Sequence, residues 1–366
     1  MSIPAPEHSG ETITPNHSAP QHGPRPLPLF LAHLWSETEN DPNLRRKALS
    51  GLRKYQQIER PERKNDSPVH AACAQAKLLH FESCTKNAKN PVVLVPSLVN
   101  PPYILDLAKN MSLAGYLQQQ GHDVWLVDWG HPAPEDAGLG LGGHIEKRLL
   151  PLLDSIGAPP ILVGYCLGGT LSLAAAQLRR DTAAVAAIAA PWDFDHYPVQ
   201  SRETIVSLWQ KAKPLCEKLG YVPMEVLQSG FWALDTARTI RKYAAFADME
   251  EGSAAEQAFI AVEDWANMGA PLTYAAARDL FELLYEGNLT GKGQWTIGGQ
   301  PISPAMLQCP ALIVRSTTDK IVPADASPKL AEQHDSGLGH VGMIVSKKAP
   351  AEIWTLLSQW LSNQGG

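Results

Sequence analysis

Pro160-Ile161-Leu162-Val163-Gly164-Tyr165-Cys166-Leu167-Gly168-Gly169 is a short apolar run that enters a glycine-flanked cysteine and leaves into the helical stretch Thr170 to Leu178. Strand, sharp turn and helix in that order are the setting of a nucleophile elbow. The middle residue takes a strained backbone conformation that lifts its side chain above the sheet edge. Glycines two before and two after it let strand and helix approach closely. The amide of Leu167 then points at a developing oxyanion, and the helix N-terminus behind it favours the negative charge of a thiolate. A lone cysteine in a glycine-rich turn is ordinarily buried and inert. Here strand, glycines and helix agree, so Cys166 is read as a nucleophile for acyl transfer.

Outward from the elbow the same texture repeats. Pro91 to Pro96, Asp123 to Asp128, Ala183 to Ile188 and Pro310 to Val314 are short apolar runs, read with Pro160 to Val163 as buried strands. Ser112 to Gln120, His144 to Leu153, Thr170 to Leu178 and Ala351 to Leu361 have helical spacing. Alternating elements with strands apolar throughout predict an α/β chain, its mostly parallel sheet covered by helices on both faces. The alternation stops after Trp192, and 195–285 reads as helical throughout. A helical insert between two strands of such a sheet lies over the carboxyl edge, where ligands bind, so 195–285 is expected to be a cap. Trp265, Trp295, Tyr274 and Phe281 are read as core residues.

The expected division is a disordered tail over 1–28, a helical N-terminal segment over 29–88, a core over 89–194 and 286–366, and the cap. The tail is rich in Pro, His, Ser and Gly and holds too little apolar surface to offset ordering entropy. Its His8, His17 and His22 are read as solvated rather than metal-binding. Hydrophobic residues make up 44% of the 366, enough for a sizeable core. The net charge of -6 comes without a basic stripe, which argues against nucleic acid as a partner. Cys73, Cys84, Cys166, Cys216 and Cys309 are odd in number, scattered and without a C-x-x-C pair, so neither a disulfide framework nor a zinc site is expected. No basic region followed by an apolar run opens the chain, and no stretch has the apolar length of a membrane span. A reducing, cytoplasmic setting is the expectation.

A thiol nucleophile needs a base, and the base needs an orienting acid. On an α/β-hydrolase fold they follow in the order nucleophile, acid, histidine. Asp319, beyond the strand ending at Val314, suits the acid. His340, in the flexible stretch Gly337-Leu338-Gly339-His340-Val341-Gly342, suits the base. Asp193 and His334 stand as rivals for the two roles. The second oxyanion donor is sought in Pro96-Ser97-Leu98-Val99-Asn100, with the Val99 amide ahead of that of Leu98. Between Asp319 and His340, Ser327 to Gln333 reads as a helix and His334-Asp335-Ser336-Gly337 as a poor strand. The last strand of the sheet is therefore expected to be missing or very short.

Several segments resemble the polyhydroxyalkanoate synthases, members of the α/β-hydrolase superfamily. They are Val99-Asn100-Pro101-Pro102-Tyr103-Ile104-Leu105-Asp106-Leu107, Asp123-Val124-Trp125-Leu126-Val127-Asp128-Trp129-Gly130, Gly164-Tyr165-Cys166-Leu167-Gly168-Gly169, Asp319-Lys320-Ile321-Val322-Pro323 and Gly339-His340-Val341-Gly342. Lys320 stands where that family usually has His. The resemblance runs over roughly residues 90–361 and implies polymerisation of (R)-3-hydroxyacyl-coenzyme A. Cys166 would carry the acyl chain as a thioester, His340 would activate thiol and hydroxyl, and Asp319 would support it. No cofactor is implied beyond the coenzyme A thioester substrate. The compact form is similar to synthase subunits that work with a second subunit; a homodimer and attachment to the polymer granule surface are also compatible. The same elbow suits a thioesterase or esterase, and a missing last strand would suit a non-catalytic granule-associated relative.

Overall fold

The computed structural model describes residues 23–60, 67–83 and 90–364. The tail reading over 1–22, its three histidines and Cys84 lie outside the described residues, as do 61–66 and 84–89 of the N-terminal segment.

One sheet organises the chain. Its strands are Val69–Cys73 (β1), Ala76–Phe81 (β2), Val92–Val95 (β3), Val124–Asp128 (β4), Ile161–Tyr165 (β5), Ala184–Ile188 (β6), Ala311–Ser316 (β7) and Glu332–Ser336 (β8). Their order across the sheet is β1-β2-β4-β3-β5-β6-β7-β8. From β4 to β8 every pair is parallel, while β1–β2 and β2–β4 are antiparallel. The principal helices are Leu27–Glu37 (α1), Pro42–Gln57 (α2), Leu113–Gln119 (α3), Leu167–Leu178 (α4), Val199–Leu219 (α5), Met224–Leu234 (α6), Thr236–Ala247 (α7), Ala254–Asn267 (α8) and Thr355–Asn363 (α9).

The period-two alternation of strands sorts the core into two layers. Val93, Val95, Leu162, Val185, Ala187 and Ile313 pack with Leu171 and Ala174 of α4 on one face. Val92, Leu94, Ile161, Val163, Ala186 and Ile188 pack with Leu113 of α3 and Leu357 of α9 on the other. Both faces are covered, so β3, β5 and β6 are buried along their whole length. Each such Val, Leu or Ile contributes roughly 1.5–3 kcal/mol by leaving water. This is the α/β-hydrolase architecture: a mostly parallel sheet between helical layers. The helices α5 to α8 lie between β6 and β7 in the chain and form the insert. Among the described residues, no helix is long and apolar enough to cross a membrane.

The structure corrects three expectations. Residues 69–81, expected as helix, are the β1–β2 hairpin. It forms because Leu78, wholly buried, pairs opposite Val127 and extends the sheet antiparallel. The helical reading of the N-terminal segment fits α1 and α2 only, the latter capped by Asp41, whose Oδ1 accepts the Leu44 amide at 2.9 Å. Residues 23–28, placed in the expected disordered tail, are packed on the insert: the Arg25 amide donates to Asn267 Oδ1 at 2.9 Å, and α1 begins at Leu27. Finally, the last strand exists. No helix forms over 327–333, and β8 pairs with β7 from Leu312–Glu332 to Ser316–Ser336. It is a largely exposed edge strand held by backbone pairing and the Arg315–Asp335 ion pair, with Nε 2.6 Å from Oδ1.

Candidate active site

At the end of β5 the backbone of Cys166 has φ 55° and ψ -130°, a region L-residues rarely occupy. Two hydrogen bonds hold it there: its amide donates to Ile188 O at 2.9 Å, and its carbonyl accepts the Gly169 amide at 2.8 Å. The glycines are dictated by contact. A Cβ on Gly164 would lie 2.4 Å from Gly168 O, and one on Gly168 would lie 2.1 Å from Val95 O. The elbow thus presses α4 against the ends of β3 and β5, and the half-buried thiol stands above the sheet edge.

Asp319 and His340 come to it from the exits of β7 and β8. Asp319 Oδ1 accepts the amides of Ile321 at 2.7 Å and Val322 at 3.1 Å, which freezes the carboxylate. Its Oδ2 accepts the Nδ1–H of His340 at 2.6 Å. The other ring nitrogen is left for Cys166, whose side chain lies close enough to raise the imidazole. Both Asp319 and His340 are buried. Burial alone would push the imidazole down, but the Asp319 carboxylate and then the Cys166 side chain outweigh it and hold the imidazole up to about 10.

The rivals are elsewhere. Asp193 Oδ1 accepts Asn288 Nδ2 at 2.8 Å, and its other oxygen faces His196 at 3.5 Å. His334 lies inside β8, opposite Val314. Of the oxyanion candidates, Leu167 opens α4, where an amide has no carbonyl one turn back to bond. Val99 differs from expectation: its amide already donates to Ser97 Oγ at 3.2 Å. The loop turns back at Leu98, which brings the serine hydroxyl under that amide.

A cavity of about 530 Å³ opens over Cys166, lined from below by Ser97, Val99, Asn100, Tyr165, Asp319 and His340. Its roof is apolar: Phe231 and Trp232 of α6, with Phe259, Val262 and Trp265 of α8. Lys320, Asp235, Arg238, Lys242 and Glu263 add charge, with Lys320 Nζ 2.9 Å from Asp235 Oδ2 and Lys242 Nζ 2.6 Å from Glu263 Oε1. Trp265, read from sequence as plain core, lines this cavity and donates to Pro101 O at 2.9 Å. The distinctive sequence segments brace the same place. Trp129 Nε1 donates to Pro96 O at 3.0 Å, holding the loop that carries Ser97 and Val99. Gly130, at φ 68°, admits the Gln75 carbonyl where a Cβ would lie 2.2 Å from it. Among the described residues, no three His, Cys, Asp or Glu side chains gather as a metal site would require.

Residues 92–352 match the family model described as the Alpha/beta hydrolase family. The poly(3-hydroxyalkanoate) polymerase subunit PhaC of Allochromatium vinosum is 27% identical over 322 residues, covering 81% of this chain and 89% of that one. The subunit of the same name from Haloferax mediterranei is 27% identical over 304 residues, 79% of this chain; the chain spans only 62% of that relative's length. Among solved structures, an epoxide hydrolase of Bacillus megaterium superposes with a TM-score of 0.51 at 12% identity, over 81% of this chain and 99% of the other, a likeness of fold. The chain belongs to the alpha/beta hydrolase family, and within it resembles the PhaC polymerase subunits across four-fifths of its length.

Proposed function

We propose that the chain is a polyhydroxyalkanoate synthase subunit that takes the 3-hydroxyacyl group of a coenzyme A thioester onto Cys166 and passes it to a hydroxyl. One observation carries this: a thiol on a strained elbow and an imidazole tied to a buried carboxylate share a single cavity. The relatives' printed names supply the substrate class, a 3-hydroxyalkanoate.

In this reading His340 takes the thiol proton of Cys166, and the sulfur attacks the thioester carbonyl, whose π electrons move onto oxygen toward the Leu167 amide. The tetrahedral species collapses and expels the coenzyme A sulfur, which takes a proton from His340. The imidazole, now neutral, accepts the proton of an incoming hydroxyl, whose oxygen attacks the acyl-cysteine; the carbon–sulfur bond breaks, an oxygen ester forms, and the Cys166 sulfur leaves and recovers its proton from His340. Asp319 keeps the ring aimed throughout. Thioester for thioester is nearly isoenergetic, so the intermediate is neither trap nor barrier. The apolar roof from Phe231 to Trp265 supports transfer to a hydroxyl over loss to water. A partner subunit, self-association and a cytoplasmic place at the granule surface belong to the same proposal, as does the use of no cofactor beyond the substrate thioester.

Incubation with (R)-3-hydroxybutyryl-coenzyme A tests it. Released coenzyme A, an acyl adduct on Cys166 by intact mass and insoluble polymer are expected. Free acid without polymer would make the chain a hydrolase. A folded chain that acquires no adduct would sink both readings.

A further inference from the structure

We infer that the Ser97 hydroxyl, rather than the Val99 amide, is the second donor to the oxyanion formed at Cys166. The inference rests on the acyl-transfer reading and assigns a residue within it. The Val99 amide has one proton, and it is given to Ser97 Oγ at 3.2 Å. A serine hydroxyl accepts and donates at once. Having accepted from Val99, it has its own proton to give, and among the described residues no acceptor takes it. Ser97 is 8% exposed and lines the cavity together with Cys166 and His340.

Its position is tightly held. The Pro96 carbonyl, one bond away, accepts from Trp129 Nε1 at 3.0 Å. The same carbonyl oxygen lies 2.5 Å from where a Cβ of Gly168 would be, so the loop rests on the first turn of α4, one residue on from Leu167. A chain of donors follows: Val99 N–H to Ser97 Oγ, and Ser97 O–H to the oxyanion. Each bond polarises the next. When sulfur attacks the thioester carbon, the carbonyl electron pair moves to oxygen, and the Leu167 amide and Ser97 hydroxyl meet that charge. The pair returns as the coenzyme A sulfur leaves with the proton from His340.

The test compares two reactions of the same thiol in the full chain. Acylation by (R)-3-hydroxybutyryl-coenzyme A passes through an oxyanion; alkylation of Cys166 by iodoacetamide, read by peptide mass spectrometry, does not. Ser97→Ala should slow single-turnover acylation by roughly 100-fold, the scale of a lost oxyanion donor, and leave alkylation at the wild-type rate. Ser97→Thr should recover most of the acylation rate. If Ser97→Ala acylates as fast as wild type, the freed Val99 amide is the donor and the inference fails. If both rates fall together, Ser97 only shapes the site and the inference fails as well. A wild-type chain that alkylates but accepts no acyl group would overturn the synthase reading itself, a different result from either.

Discussion

Asp319 Oδ2 accepts the Nδ1–H of His340 at 2.6 Å, although the two residues are 21 positions apart and leave adjacent parallel strands. The strand β8 makes this meeting possible. By pairing in register with β7 it returns the chain to the same edge of the sheet, and the two exit loops face each other. A relative without that strand would have no such carboxylate–imidazole pair, so the short spacing before His340 gives no ground for an inactive site.

The first prediction concerns that pair. Asp319→Asn keeps an oxygen for the Ile321 and Val322 amides but offers the imidazole an amide in place of a carboxylate. Acylation of Cys166 should fall by about 10³-fold or more, with the folded state retained by circular dichroism. Asp319→Ala should also leave both backbone donors unpaired and cost about 1–3 kcal/mol in urea unfolding. Asp319→Asn acylating within about threefold of wild type would remove Asp319 from the proposed machinery.

Stability should depend on pH through His340. Its imidazole is held up to about 10, above its ordinary value near 6.5, by Asp319 and Cys166 against the opposing effect of burial. A group raised on folding stabilises in full below its unfolded value, and that contribution is lost as pH climbs through the folded one. Unfolding free energy should therefore decline between about pH 6.5 and 10, as measured by urea titration. Cys166→Ala removes one of the raising causes, so the decline should end at a lower pH and be smaller in total. A decline that ends at the same pH in both proteins would mean that Cys166 does not act on the ring.

Backbone strain at Cys166 gives another test. Cys166→Gly and Cys166→Ala both delete the thiol, but only glycine is at ease at φ 55°. The strained conformation costs about 1–3 kcal/mol, offset by about 0.5–1 kcal/mol of extra glycine chain entropy. Cys166→Gly should be the more stable of the two by about 1 kcal/mol in thermal or urea unfolding. Alanine as stable as glycine would show that the elbow stores no strain. Neither variant should take up an acyl group.

The elbow was legible in the sequence because strand, glycines and helix follow one another along the chain, although only Gly164 is set by contacts within that unit; Gly168 meets Val95 and Pro96, and Gly169 meets Ala190. The five apolar strands were legible because both their faces are covered. What stayed hidden lacks a side-chain signature. Glu332-Gln333-His334-Asp335-Ser336 is polar because β8 is an edge, and only its pairing with β7 makes it a strand. The β1 strand is exposed for the same reason, and β2 gains its burial from β4, far along the chain. The cavity role of Trp265 depends on how α8 sits over the Asn100 loop, a tertiary fact. The capture of the Val99 amide by Ser97 spans two residues, yet nothing in their identities sets the loop's turn.

Contact at the glycines predicts a sharp contrast between two otherwise similar substitutions. Gly168 has no room: an alanine methyl would meet Val95 O at 2.1 Å and Pro96 O at 2.5 Å, both backbone atoms that cannot swing aside. Relief would require β3 and α4 to separate, breaking the packing of Val95 and Leu171 in the same layer. Overpacking of this kind costs about 1–3 kcal/mol even where side chains can adjust, so Gly168→Ala should lose at least about 3 kcal/mol and accumulate poorly in folded form. Gly138, exposed, with nothing within 4 Å of its would-be Cβ, should tolerate alanine. There the reduced freedom of the unfolded chain should make the protein more stable by about 0.4–1 kcal/mol. Thermal unfolding of the two variants side by side decides it; a Gly168→Ala protein as stable as Gly138→Ala would mean that strand and helix do not meet as closely as the elbow requires.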